Sequence, residues 1–104
     1  MLSCNNNVYI KFKIKNESKF ILKSLIIKIS GGSVILCKDL RPNEFIKLKL
    51  DMTGIQKIDG NYSIGYCIND SNVIHHFGYY TNGYPINNLY KININLDTIL
   101  IKEN

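Results

Sequence analysis

The sequence predicts an all-β fold, an antiparallel sandwich of seven or eight short strands, in a single domain spanning residues 1–104. Three observations predict it. Apolar residues alternate with polar ones in several short runs, the period-2 pattern of a strand with one wet face. Turn signals separate those runs at spacings of roughly 8 to 12 residues, which suits a sandwich or barrel. The composition agrees: 18 Ile and no Ala favour strands, because Ile is β-branched and Ala is the best helix former. A length of 104 residues suits one core, and 45% apolar content suffices to fill it.

The elements follow in order. Val8, Ile10, Phe12 and Ile14 alternate with Tyr9, Lys11, Lys13 and Lys15, the clearest strand of the chain. Asn16 to Lys19 reads as a turn, and a second apolar run extends from Phe20 to Ile29. Leu25, Ile27 and Ile29 share a face from which Leu22 is out of phase, so a bulge or bend is expected near Lys23 and Ser24. Gly31 and Gly32 supply the positive φ angles of a tight hairpin into a strand over 33–38. After the turn Leu40-Arg41-Pro42-Asn43-Glu44, the side chains Ile46, Leu48 and Leu50 point inward, with Lys47 and Lys49 outward between them.

Residues 51–60 read as irregular, bounded by Gly54 and by the turn pair Asp59-Gly60. Tyr62, Ile64, Tyr66 and Ile68 then mark a half-buried strand. Beyond the polar loop 69–72 a strand is expected over 73–80, with His76 sharing a face with Ile74, Gly78 and Tyr80. Thr81-Asn82-Gly83-Tyr84-Pro85 is a hairpin tip, since Asn-Gly is the strongest short hairpin signal. The last segment places Tyr90, Ile92 and Ile94 on one face, breaks at Leu96-Asp97 and resumes with Ile99 and Ile101. Asp59-Gly60-Asn61-Tyr62 resembles the lead-in to a late strand of immunoglobulin-like domains. The resemblance implies an immunoglobulin-like sandwich in which the Tyr62 hydroxyl ties a corner back to the backbone. There is no Trp, and Cys37 and Cys67 do not fall on evident partner strands, so the topology is implied and the family is not.

The formal charge is +5, yet 12 Lys and 14 Asn beside one Arg have the look of AT-rich coding. Charge alone is therefore a weak pointer to an anionic partner. No apolar stretch is long enough for a membrane helix, and no basic or apolar leader precedes Cys4, so no membrane partner is expected and the expected location is the cytoplasm. Cys4, Cys37 and Cys67 are an odd set without ligand spacing and read as reduced packing residues.

No catalytic constellation is visible. His75 and His76 are adjacent on a strand and point to opposite faces, so they cannot share a metal, and neither a metal nor a cofactor is expected. The carboxylates mostly occupy turns and form no acid–base pair, so the chain is not expected to be an enzyme. The Lys rows at 11, 13, 15 and at 47, 49 line outer faces. Should the two strands be neighbours, the rows form a basic plane with Tyr9 at one end, the ingredients of a single-strand nucleic-acid surface. An ordinary solvated face outweighs that reading here.

Phe77-Gly78-Tyr79-Tyr80-Thr81-Asn82-Gly83, followed by Tyr90-x-Ile92-x-Ile94-x-x-Asp97, resembles immunity proteins of contact-dependent growth inhibition systems. Within that group the likeness is to the β-sandwich type that neutralises a ribonuclease-A-like toxin. It implies a cytoplasmic inhibitor bound 1:1 to a cognate toxin domain, with Asp39, Glu44 and Asp70 meeting basic toxin groups and Tyr79, Tyr80, Asn82 and Tyr84 filling its cleft. Gly31, Gly32, Gly60 and Gly83 would be structural, as would Tyr62. Nuclease toxins are usually basic, so a +5 inhibitor needs its acids gathered on one face. The alternative is a non-catalytic binding module, either a basic nucleic-acid-binding sandwich or an adhesion-type domain.

Overall fold

A computed structural model describes residues 9–29, 34–51, 59–81, 84–85 and 89–103. These form β1 (Tyr9–Asn16), β2 (Leu22–Ile29), β3 (Val34–Leu40), β4 (Phe45–Asp51), β5 (Gly60–Ile68), β6 (Ser71–Thr81), β7 (Tyr84–Pro85), β8 (Leu89–Ile94) and β9 (Ile99–Glu103). No helix occurs among the described residues. The expected all-β class holds, with nine strands among the described residues against the seven or eight expected, β7 having only two residues. The hairpin glycines Gly31, Gly32 and Gly83, and most of the irregular stretch 51–60, lie outside the described residues.

Sheet A has the order β4-β1-β8-β9 and sheet B the order β3-β2-β5-β6-β7. Sheet A departs from the antiparallel expectation, because β1 and β8 pair in parallel, with Lys11 opposite Leu89 and Asn16 opposite Ile94. The cause is chain direction. Both strands start at the end of the molecule opposite the 17–21, 41–44, 69–70 and 95–98 connections and run toward it, so neighbouring places force a parallel ladder.

Alternating side chains of both sheets meet in one core. Ile10, Phe12, Ile14, Tyr90, Ile92 and Ile94 come from sheet A and face Leu22, Leu25, Ile27, Tyr62, Ile64 and Phe77 of sheet B. Phe12 stands 5.6 Å from the ring of Tyr62, 6.0 Å from Phe77 and 5.9 Å from Tyr90, and Tyr62 lies 5.6 Å from Tyr80. Each ring buried this way contributes about 1.5–3 kcal/mol, with up to about 1.5 kcal/mol more for an edge-to-face pair.

The bulge expected near Lys23 and Ser24 is present. Register slips between Leu22 and Leu25 against β3 and between Lys23 and Ile26 against β5. Ser24 takes φ 54°, and its N–H donates to Asp39 Oδ1 at 3.0 Å. A second bulge sits at Gly78, with φ 68°, where β6 slips by one residue between Tyr62↔Phe77 and Gly60↔Tyr80. A Cβ there would meet the Tyr90 hydroxyl oxygen at 2.6 Å and Tyr62 Cδ2 at 2.7 Å, so both backbone angle and space require glycine. The slip turns Tyr80 inward. It therefore leaves the face of Ile74 and His76, where alternation had put it, and is completely buried.

Turns fix the near end. Asn69 and Asp70 both have positive φ, 47° and 64°, as a two-residue type I′ hairpin requires, so β6 starts at Ser71, earlier than expected. Pro42 and Asn43, the latter at φ 66°, form a type II turn closed by Glu44 N–H to the Arg41 carbonyl at 3.0 Å. Asn16 is wholly buried at the crossing between sheets. Its Nδ2 donates to the carbonyls of Phe20 (2.7 Å) and Leu40 (3.0 Å), while its Oδ1 accepts from the Ser18 N–H (2.9 Å) and hydroxyl (2.6 Å). Its backbone also bonds Glu44 and Asn43. A turn residue by sequence is thus the polar knot joining β1, β3 and two connections.

Candidate functional site

The residues expected to meet a toxin do not come together. Asp39, Glu44 and Asp70 lie at the end bearing the 41–44 and 69–70 turns, whereas Tyr79 and Tyr84 lie at the opposite end, where β6 and β7 finish. Asn82 is outside the described residues, and Tyr84 is placed by its backbone pairing with Thr81. Tyr80 is a core residue, a correction that follows from the Gly78 bulge. Tyr79 is 48% exposed, and its hydroxyl donates to Asp59 Oδ2 at 3.1 Å. Asp39 accepts from the Ser24 N–H, and Glu44 Oε1 accepts from the Arg41 N–H at 2.7 Å, so both carboxylates already serve the backbone.

Tyr62 and Gly60 lie at the start of β5, with Tyr62 fully buried. Burial, with Tyr90 and Tyr80 close by, pushes the Tyr62 phenol well above its ordinary value of 10.0, and burial alone raises that of Tyr66. His75 stands in register with Ile64 and His76 with Ser63, on opposite faces of β6. Cys67 is a half-buried free thiol, while Cys4 lies outside the described residues.

The notable surface is the outer face of sheet A. β1 and β4 are neighbours, so the two Lys rows do adjoin: Lys11 is opposite Lys49 and Lys13 opposite Lys47. Two further lysines continue the pattern, because Lys13 aligns with Lys91 on β8 and Lys91 with Lys102 on β9. One row thus runs Lys47, Lys13, Lys91, Lys102 across all four strands, about 14 Å at the usual strand spacing. With Lys11, Lys15 and Lys49, seven of the chain's 12 lysines share this face. No acid lies within the rows; Asp51, in register with Tyr9, and Glu17, beside Lys15, stand at the margins.

Two exposed rings flank the rows. Tyr9 carries the Lys49 ammonium 4.1 Å above its centroid, and Phe45, 56% exposed, has those of Lys13 and Lys47 at 5.5 and 6.0 Å. Such contacts fix the ammonium groups above the sheet. A shallow depression of about 440 Å³ runs between Lys11, Lys13, Lys47, Lys49 and Leu89. Sequence reading located the rows on β1 and β4 and missed Lys91 and Lys102, although both alternate with inward Ile residues, which is the signal that marks them.

No family model matches the sequence, and no curated protein matches it. An NMR structure of a protein from Eubacterium rectale has a similar fold, with a TM-score of 0.64 at 11% identity, covering 97% of this chain and 93% of that one. The likeness is one of fold. Among the described residues no helix is long and apolar enough to cross a membrane.

Proposed function

We propose that the chain is a non-catalytic binding domain that holds a polyanion on the outer face of sheet A. The observation carrying this reading is the four-strand row of directly opposed lysines. Like charges opposite one another on a sheet are destabilising. A face that only had to stay wet would interleave acids, as soluble surfaces generally do. Coding bias raises the number of lysines but does not gather seven of them on one of the two outward sheet faces. Retention on immobilised heparin, followed across a salt gradient, tests the reading: the wild-type chain elutes late and Lys13→Glu/Lys91→Glu elutes early. Equal elution of the two proteins would sink it.

The finer fold assignment is immunoglobulin-like. In its support, β3-β2-β5-β6 has the order of a C′-C-F-G sheet and β1 beside β4 that of a B-E pair; β8 takes the place strand A holds next to B but runs parallel to β1, where A is antiparallel. Tyr62 at the start of the F-like strand fits the corner role.

A second reading, an immunity protein that covers a basic toxin in the cytoplasm, is favoured by a different observation. Five of the eight acids, Glu17, Asp39, Glu44, Asp70 and Asp97, gather at the turn end, beside exposed Phe20, Ile21 and Leu96. Acids gathered at one end are what a +5 inhibitor needs, although Lys19 and Arg41 share that end. Co-expression with the product of the adjacent gene tests it, the expected result being a 1:1 complex that survives moderate salt and relieves growth arrest.

A further inference from the structure

We infer that the polyanion is single-stranded nucleic acid, its phosphates on the lysine rows and its bases stacked on Tyr9 and Phe45. This rests on the polyanion reading and names its ligand class. Sulfated sugars, polyphosphate, duplexes and single strands all offer dense negative charge; an exposed single strand also offers flat apolar bases.

The placement of the rings makes the distinction. Tyr9 and Phe45 stand at opposite ends of the β1–β4 pair: Tyr9 is in register with Asp51, and Phe45 with Lys15. Six residues of β4 separate the two register positions, about 20 Å at strand rise. The lysines between them recur every second residue on each strand, a pitch of about 6.7 Å. A single strand of several nucleotides spans that length, and sheet surfaces carrying aromatics bind bases in this way. A duplex keeps its bases inside the stack and brings only phosphates to the face.

In the free protein the rings are covered by the ammonium groups of Lys49, Lys13 and Lys47. Incoming phosphate draws those groups off the rings, and each vacated ring face then accepts a base. The same lysines shield exposed aromatics before binding and neutralise phosphates after it. Pairs of opposed lysines regain by neutralisation what they lose by mutual repulsion. That gain is available to any polyanion; the stacking gain is available only to unpaired bases.

Fluorescence anisotropy with labelled 12-nucleotide dT and rU single strands, the matched duplex, and unlabelled polyphosphate as competitor provides the test. The single strands are expected to bind at least tenfold tighter than the duplex, and to be displaced by polyphosphate only at large excess. Tyr9→Ala and Phe45→Ala each weaken single-strand binding by roughly tenfold. Neither alters the salt slope, and Tyr9→Phe restores affinity. Lys13→Gln instead flattens the slope of log affinity against log salt by about 0.7. Both rings are exposed, so thermal melts of the ring variants should match wild type and verify folding. Ring variants that bind like wild type, or a duplex that binds equally well, overturn the stacking inference and leave the polyanion reading standing. Absence of binding to every polyanion at 50 mM salt overturns both.

Discussion

Asn16 and Tyr90 show two opposite fates of a buried polar group. Every hydrogen-bonding atom of the Asn16 amide is engaged, and removing it strands the Leu40 carbonyl and the Ser18 N–H in a buried site, while the Phe20 carbonyl keeps the Ser18 hydroxyl at 3.0 Å. Asn16→Leu is expected to cost roughly 2–4 kcal/mol in chemical denaturation, since each stranded group loses its desolvation compensation. The Tyr90 hydroxyl is buried with no hydrogen-bond partner among the described residues. Tyr90→Phe is therefore expected to leave stability unchanged or raise it by up to about 1 kcal/mol. Gly78→Ala, which drives a methyl into that hydroxyl and keeps a positive φ, should destabilise by at least about 2 kcal/mol. The sequence showed Asn16 as a turn former because its type and neighbours are those of a turn. Its burial depends on Leu40, 24 residues away, and no local pattern carries that.

Among the elements, β1 bears the largest electrostatic conflict, for Lys13 is flanked by Lys47 on one side and Lys91 on the other. Lys13→Glu converts both contacts to opposite-charge pairs. It should raise stability by a few tenths to about 1 kcal/mol while weakening polyanion binding, a trade visible by comparing melting temperature with heparin elution. The gain should shrink at high salt, as screening relieves the wild-type repulsion. Legibility at this scale depended on how unambiguous the parity was. The Ser24 bulge was readable because Leu22 slips against a clean apolar run. The Gly78 bulge was not, because Phe77, Tyr79 and Tyr80 are all aromatic and an alternation among them has no polar member to fix its phase. Hence Tyr80 was assigned to a partner surface and lies in the core.

For the molecule as a whole, the strand content and most of the inward faces were legible, and the pairing of distant strands was not. That β1 adjoins both β4 and β8 is a product of chain reversal and sheet order, and it alone turns separate Lys rows into one field. The core also sets an alkaline limit. Tyr62 and Tyr66 hold their protons more tightly folded than unfolded, through burial. Stability from this source is complete below about pH 10, where tyrosines of the unfolded chain begin to ionise, and falls as pH rises further. Denaturation midpoints between pH 8 and 11.5 should fall above pH 10, more steeply in wild type than in Tyr66→Phe.

The parallel ladder between β1 and β8 also has a bearing on synthesis. Lys11 meets Leu89 across 78 positions of sequence, so one edge of β1 stays open until β8 has left the ribosome. Long-range pairing of this kind closes slowly, and open strand edges invite pairing with other chains. Three lysines in alternate positions along β1 give that waiting edge a charge that a second copy of the same strand must oppose. The repulsion that weakens the finished sheet thereby keeps nascent chains apart until β8 arrives.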